Sequence, residues 1–331
     1  GGAPPAPATA AAGRPPVGAA PAASAFSARS LLGPTFRYRL GACAASAVPA
    51  PVALAAARAI GVGAWAVLPA RRAVVARHMS RATAGGLTPA RAGRASREAF
   101  VSYARYWVES LRLPRTPPAE VDAHFTIDGR EHLEEARAVG RGAVLALPHL
   151  GGWEVGGSWL ARQGFPVSVV VESLEPPEVF EWFMGLRRTF GLSVIPLGPG
   201  AGTGVLAALR ANHMVCLLCD RDIGGSGVEV EFFGERTTLP AGPATLALRA
   251  RSVVLPTAVY FDGRGHHAVV EPPLTVERSG HVREDIVRLT QATATALEGL
   301  IRRAPEQWHL FQPNWPSDRL GSRHPRSPRP K

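Results

Sequence analysis

A chain of 331 residues has room for one large domain or two small ones, and its 46% hydrophobic and 19% charged residues describe a globular protein with a sizeable core. Lys+Arg 37 against Asp+Glu 26 leaves a formal net charge of +11, almost all of it arginine, which favours an anionic partner: nucleic acid, an anionic membrane surface or a phosphorylated substrate. The aromatic residues, 7% of the chain, nowhere interleave with basic ones as a base-stacking platform would, so nucleic acid is set aside.

In chain order, residues 1–30 are Ala, Pro, Gly and Ser with little bulky apolar content, and are predicted to form a disordered tail. No basic stretch leads into a compact leucine-rich core there, so no secretory signal is read. Residues 31–115 form an N-terminal helical region. Its most apolar part, Ala42 to Leu68, is interrupted by Pro49, Pro51 and Arg58 and falls short of the roughly 20 apolar residues a membrane span needs. It is read as an interfacial helix in which Val52, Leu54, Ile60, Trp65, Val67 and Leu68 meet the bilayer and Arg71, Arg72, Arg77 and Arg81 meet anionic head groups. The alternative is a helix simply packed on the core. A further helix is predicted over 87–113, started by Thr88 and Pro89, with Phe100, Tyr103, Trp107 and Leu111 on one stripe.

From Gly142 short β-rich runs alternate with helical stretches: AVLALP, then 153–163, VSVVVE, 176–190, LSVIP, 203–211 and MVCLLC. That alternation predicts an α/β fold with a central mixed, mostly parallel sheet flanked by helices, occupying residues 116–316. VEVEFF, VVLPTAVYF and HAVVE add strands, with helices near 241–250 and over 283–303, and residues 317–331 form a basic, Pro-rich flexible tail. No internal repeat is evident.

The sharpest chemical signal is PHLGGWE, residues 148–154. His149 stands at the carboxyl end of a predicted strand, where open α/β sheets bind ligands, and Gly151 and Gly152 allow close backbone approach. Glu154, in the first turn of the next helix, is placed to fold back toward the imidazole. A His–carboxylate pair suits acyl transfer: the imidazole takes the proton of an attacking hydroxyl, and the carboxylate fixes its tautomer and stabilises the imidazolium. Backbone N–H groups near Gly151 and Gly152, or an arginine, are candidate donors to the oxyanion. Arg187 and Arg221 suit the phosphates of an acyl-CoA. Asp220, Arg221 and Asp222 read equally as an internal ion pair holding a loop or as site residues.

Other candidates are weaker. Ser158 lacks a G-x-S-x-G elbow, no H-E-x-x-H exists, and His266 and His267 fall in a predicted hairpin, so no metal is expected. Gly198, Gly200, Gly202 and Gly204 lack the Lys-Ser/Thr of a phosphate loop. Cys216 and Cys219 lie in a short apolar run with the look of a buried strand and with no second Cys/His cluster, which favours packing over redox or zinc.

HLGGWE resembles the H-x4-[DE] motif of the lysophospholipid acyltransferase superfamily, in the form found in the branch that holds the lipid A late acyltransferases and the phosphatidylinositol mannoside acyltransferases. The segments 170–197, LLCDRD (217–222), GVEVEFFGERTTLPAGPATLALR and PEQWHLFQPNW (305–315) are similar to that branch in order, so the resemblance spans about residues 35–315. It implies His149 as general base, Glu154 as its partner, and Glu229 as a second carboxylate acting with the histidine, with Glu231 its rival. It also implies a substrate site that includes Gly151, Gly152, Trp153, Glu172, Arg187, Arg221 and Asp222. Arginine-rich composition and the PEQWHLFQPNW ending resemble the actinobacterial mannoside branch most. The expected reaction moves an acyl chain from acyl-CoA, a co-substrate with no other cofactor, to a mannose hydroxyl of a glycolipid acceptor. The expected location is peripheral, on the cytoplasmic face of the plasma membrane. The alternative is a lipid A late acyltransferase using acyl-carrier protein.

Overall fold

The computed structural model describes Gly41, Cys43, residues 46–172 and residues 177–320. The expected tail over 1–30 and residues 321–331 lie outside the described residues.

Helix α1 (Ala50–Val67) opens at its prolines: Pro49 is the N-cap and Pro51 sits in the first turn, where a missing N–H removes no helical bond. Two of the three expected interruptions therefore begin the helix instead of breaking it. Among the described residues α1 is the one helix long and apolar enough by composition to cross a membrane. It is not wrapped by protein. Only Ala53, Ala57 and Gly61 are buried, four residues apart on one face, and Val52, Ile60, Val67 and the following Leu68 are exposed. The small residues pack against α3 (Pro89–Arg112); a Cβ on Gly61 would stand 2.5 Å from the Val101 Cα. Between them runs α2 (Pro69–Ala82). Thr88 caps α3 as expected, its hydroxyl accepting from Arg91 N at 3.4 Å. The buried side of α3 is smaller and more polar than its aromatic stripe: Ser96, Ala99, Phe100, Ser102, Tyr106 and Ser110 face inward. Tyr103, Trp107 and Leu111 are half-buried along the junction with α1.

After α4 (Pro118–Ala123) the chain builds a seven-stranded sheet in the order β1-β9-β8-β2-β5-β3-β4. Its strands are β1 (Phe125–Asp128), β2 (Ala143–Leu147), β3 (Val167–Val171), β4 (Ser193–Pro196), β5 (Met214–Leu218), β8 (Val253–Asp262) and β9 (Gly265–Val270). All neighbours run parallel except the β8–β9 hairpin. The intervening helices are α5 (Arg130–Val139), α6 (Trp153–Arg162), α7 (Pro177–Thr189), α8 (Ala201–Arg210), α9 (Gly242–Ala250) and α10 (Val282–Arg303). Alternation along each strand divides the core in two. Leu145, Leu147, Met214 and Val259 pack with α5 and α6, whereas Val144, Ala146, Val215 and Val254 pack with α8, α9 and α10. The VEVEFF run does not join this sheet; β6 (Val228–Phe232) and β7 (Glu235–Leu239) form a separate antiparallel pair.

The C-terminal end also differs from expectation. Ser317 to Leu320 belong to α11 (Pro316–Leu320), and Asp318 is fully buried. Its carboxylate accepts from Arg77 (3.0 Å), Arg81 (2.9 Å), His78 Nε2 (3.1 Å) and the N–H groups of Asn314 and Trp315. Burial alone would raise this carboxyl, but the His78 ring, the N–H of Asn314 and Arg77 hold it well below the usual carboxylate range. Arg77 and Arg81, expected at lipid head groups, are thus committed to α11; Arg81 also pairs with Glu235 of β7 at 3.1 Å.

Because Gly61 admits backbone where a methyl group would stand, Gly61→Ala must push α1 away from α3. The expected cost is about 1–3 kcal/mol. Chemical denaturation and the rate of proteolytic nicking within residues 46–68 check it; an unchanged midpoint and nicking rate would contradict the close approach.

Candidate active site

His149 follows β2 and Asp220 follows β5. The two strands pair in parallel with Leu147 opposite Leu218, so these two side chains, each two residues further on, emerge side by side at the carboxyl edge of the sheet. Glu172 leaves β3 at the same edge. This is the crevice where doubly wound sheets bind ligands.

The imidazole Nδ1 donates to Asp220 Oδ1 at 2.6 Å, and the His149 backbone N–H donates to Oδ2 at 3.0 Å. A third donor, the indole N–H of Trp308, reaches Oδ2 at 2.7 Å. Asp220 has no solvent exposure. Burial would raise its carboxyl, but the charge and hydrogen bonds of His149 and the Trp308 indole outweigh that and hold it below the ordinary value. With Nδ1 a donor, the neutral ring carries its lone pair on Nε2, which has no hydrogen-bond partner among the described residues; the side chain is 22% exposed.

The carboxylate on His149 is therefore Asp220, not Glu154. Glu154 is the second residue of α6, and from there its side chain runs into the protein. It accepts from Arg187 Nε at 3.0 and 3.2 Å and from Arg187 Nη2, and Tyr106 donates to it at 3.3 Å. Burial would lower the Arg187 guanidinium; the Glu154 charge more than reverses this and raises it. Tyr106 is pushed well above its usual value, by burial first and by Glu154 second. Arg187 is thus neutralised by Glu154 and is not an open phosphate site.

Gly151 and Gly152 also depart from expectation. Their N–H groups are already committed, to Gln307 O at 3.0 Å and Val259 O at 2.9 Å, so neither is available to an oxyanion. The glycines serve packing: Gly151 has φ +60, and a Cβ there would stand 2.0 Å from Val259 O, while one on Gly152 would meet the His266 ring at 2.5 Å. The glycine-rich turn lets the chain cross β8 in contact with its backbone. The first turn of α6, by contrast, has no side-chain cap.

Glu229 is far from the role expected of it. It is 65% exposed and pairs with Arg236 across the β6–β7 hairpin at 2.9 Å. Its rival Glu231 is likewise exposed, with its backbone bonded to Gln291. Asp222 holds its own loop, accepting from Gly225 N at 3.0 Å and Gly227 N at 2.8 Å. Arg221 donates to Glu172 at 3.1 Å, and its Nε is buried without a partner.

Trp153, Glu154, Glu172 and Arg187 meet at one cavity of about 220 Å³ on the α6 side of the sheet. The rest of its wall is almost wholly apolar, from Leu147, Val171 and Leu218 at the strand ends to Phe125, Ile127 and Leu133 beneath β1 and α5. Trp153 joins this cavity to the sheet edge that carries His149, its indole meeting His149 edge-on at 5.9 Å and stacking on Tyr106 at 4.1 Å. Cys216 lines the same wall; burial first, then the Glu154 charge, pushes its thiol up to about 12. Cys219, fully buried next to Asp220, is raised further. Thiols this far from ionising carry no thiolate chemistry.

The geometry stands beside a clear kinship. Residues 38–317 match the family described as bacterial lipid A biosynthesis acyltransferase. The chain belongs to this family. Among its relatives is the phosphatidylinositol mannoside acyltransferase of Mycobacterium tuberculosis (strain ATCC 25618 / H37Rv), 41% identical over 227 residues, 67% of this chain and 70% of the relative. The protein of the same name from Mycolicibacterium smegmatis is 39% identical over 233 residues, 70% of this chain and 75% of the relative. The lipid A biosynthesis acyltransferase of Haemophilus influenzae is 28% identical over 185 residues, 54% of this chain and 55% of the relative. The protein is an acyltransferase of lipid biosynthesis.

Two expected outcomes test the geometry. Removing one partner of a buried ion pair strands the other charge, so Arg187→Met should lose about 3–5 kcal/mol; adding Glu154→Gln should restore most of it, measured as a double-mutant cycle in urea. His309, fully buried beside this site with Nδ1 unpartnered, is held down to about 3, by burial first and the His149 charge second. A depressed histidine binds its proton in the unfolded chain before the folded one. Its contribution is therefore present above the unfolded value of about 6.5 and is lost as pH falls from there toward 3. His309→Gln should flatten the pH dependence of unfolding free energy between pH 6 and 4 by up to about 1.4 kcal/mol per pH unit.

Proposed function

We propose that this acyltransferase moves a long fatty acyl chain from acyl-CoA to a mannose hydroxyl of a phosphatidylinositol mannoside glycolipid, by direct attack with His149 as general base and Asp220 as the carboxylate that orients it. The observation that carries the reading is the occupied Nδ1 and open Nε2 of one imidazole at the sheet edge, beside an apolar cavity with its charged residues gathered at one end. The names of the mycobacterial relatives support the acceptor class, at higher identity and coverage than the lipid A relative.

In this mechanism the acceptor O–H gives its proton to His149 Nε2 as its oxygen attacks the thioester carbonyl. The carbonyl oxygen becomes an oxyanion, which is met by the uncapped N–H groups at the start of α6, where the helix dipole is positive. Collapse forms the new ester and expels the CoA thiolate, which recovers the proton from the imidazolium. Asp220 stays ionised throughout and stabilises that imidazolium. The acyl chain lies in the cavity beyond Trp153. Arg221, with its Nε unpartnered, and the exposed Arg188 meet the CoA phosphates. Glu154 and Arg187 act from the cavity rim as a neutral pair, with Trp153 and Glu172 beside them. The exposed Val52, Ile60, Val67 and Leu68 seat the protein peripherally on the cytoplasmic face of the plasma membrane.

Incubation with palmitoyl-CoA and either a mannosylated phosphatidylinositol or a lipid A precursor, followed by mass spectrometry of the lipids, tests the reading. Acylation of the mannolipid alone is expected; acylation of the precursor alone, or of neither, overturns it. His149→Ala should lower kcat by about 10²–10⁴-fold with the fold intact. Asp220→Asn should lower kcat comparably, with little change in KM, since the amide no longer holds the proton on Nδ1. A variant retaining near-normal turnover at either position would refute the assigned role.

A further inference from the structure

Transfer between two lipids requires two apolar sites, because donor and acceptor each bring hydrocarbon that water excludes. The cavity beneath Trp153 accounts for one chain. A second apolar space, about 850 Å³, runs along the junction of α1 and α3. Its walls are small or apolar: Ala56, Ile60 and Gly61 on α1, Ala104 and Val108 on α3, and Phe311 at one end. From Val52 to Leu68 it follows α1 for roughly 24 Å at 1.5 Å per residue, longer than the ~15 Å of one leaflet of a bilayer's hydrocarbon core.

Two features specify its occupant. The first is continuity with the acyl cavity, since Trp107 lines both spaces. Trp107 meets Tyr106 edge-on at 5.5 Å, Tyr106 stacks on Trp153, and Trp153 meets the His149 ring, so one run of packed rings joins the groove wall to His149; at the other end Arg71 donates to Phe311 O, two residues from His309, whose N–H donates to His149 O at 2.7 Å. The second is charge. The groove is closed at its Leu68 end by Arg71, an exposed arginine that donates to the Phe311 carbonyl at 2.9 Å and has no carboxylate partner among the described residues. An apolar channel with one cation at its end has the polarity of an anionic amphiphile.

We propose that this groove holds a fatty tail of the acceptor, a diacyl anionic phospholipid, with its phosphodiester at Arg71 and its head group directed past Phe311 and His309 toward His149. Trp107 is then the shared wall that keeps donor and acceptor chains apart. The inference rests on the acyl-transfer reading and adds where the second lipid lies.

The test fills the groove without touching the catalytic edge, using Ala104→Trp and, independently, Val108→Trp. Steady-state rates are measured in mixed micelles with palmitoyl-CoA and two acceptors: mannosylated phosphatidylinositol, and the same head group freed of its fatty acids. The native enzyme is expected to use the diacyl acceptor at a KM at least tenfold lower, since even two buried methylene groups are worth about tenfold in affinity. Each variant should raise the diacyl KM about tenfold and leave unchanged its KM for palmitoyl-CoA, its turnover of the deacylated acceptor and its sedimentation with acceptor-free anionic vesicles. Unchanged turnover of the deacylated acceptor also shows that the variant folds. A rise in the palmitoyl-CoA KM would assign the groove to the donor, and lost vesicle binding would assign it to the bilayer at large; either overturns the proposal, as does an unchanged diacyl KM in both variants. Failure of the native enzyme to acylate either acceptor would instead sink the acyl-transfer reading itself.

Discussion

Asp220 is the residue around which the site is arranged. A carboxylate with no solvent exposure is costly to bury, and this one is held ionised only because three N–H groups converge on it, two from His149 and one from Trp308. Each donor comes from a different part of the fold or a different part of its residue. The backbone N–H fixes where the chain leaves β2, the ring N–H fixes the tautomer, and the indole pins the second oxygen so that the first stays aimed at the ring. Any movement of β2 against β5, or of the C-terminal segment against both, would leave the carboxylate short of a donor in the dry interior. The imidazole is therefore rigid for a reason that includes stability as well as chemistry.

This explains the weight of contacts on residues 305–318. Gln307 accepts from Gly151 N and exchanges hydrogen bonds with both backbone groups of Phe261; His309 N donates to His149 O at 2.7 Å; Asn314 Nδ2 donates to Asp220 O at 3.1 Å; Trp315 donates to Phe232 O at 3.0 Å. The segment thus ties together the His149 turn, β8 and the β6–β7 hairpin. Asp318 then anchors it to α2 through Arg77, His78 and Arg81. The N-terminal helices and the C-terminal segment hold the site from one side, which is why helices outside the sheet still bear on the geometry of His149.

Much of this was legible in the order of residues. Each of AVLALP, VSVVVE, LSVIP and MVCLLC is a strand, and the helices between them lie within two residues of their expected limits, because a parallel sheet buried on both faces writes itself as unbroken apolar runs. His149 was visible for the same reason, as a polar residue just past such a run. Asp220 carried the identical signal, one polar residue past MVCLLC, and aligning the two runs would have set it opposite His149. The spacing H-x4-E points to Glu154 instead of Asp220, but five residues that cross a strand end and enter a helix do not return to their start. The second residue of α6 projects into the protein, so Glu154 finds Arg187 and Tyr106 instead. Trp308 and His309 lie in PEQWHLFQPNW, a segment the resemblance marks without giving either residue a contact; those contacts arise from a bridge between Leu150 and Trp308, more than 150 residues apart. Gly151 and Gly152 are close approaches, as their residue type implies, but a sequence does not state whether a backbone N–H is already taken, and both of theirs are.

The fate of the arginines completes the account of the charge. A net charge of +11 suggested a surface spread with free cations for phosphates, yet the arginines nearest the site are mostly engaged: Arg187 by Glu154, Arg77 and Arg81 by Asp318, Arg105 by Glu109. Arg72 is laid over the Trp65 ring at 4.9 Å. A buried pair contributes position more than attraction, because desolvation offsets most of its Coulomb energy. Among the described residues, Arg71 by the α1–α3 groove and Arg188 on α7 have no carboxylate partner, and Arg221 has one that is half open to water. An excess of one charge that looks uniform in composition thus resolves into a neutral, tightly bonded centre with cations at its edges.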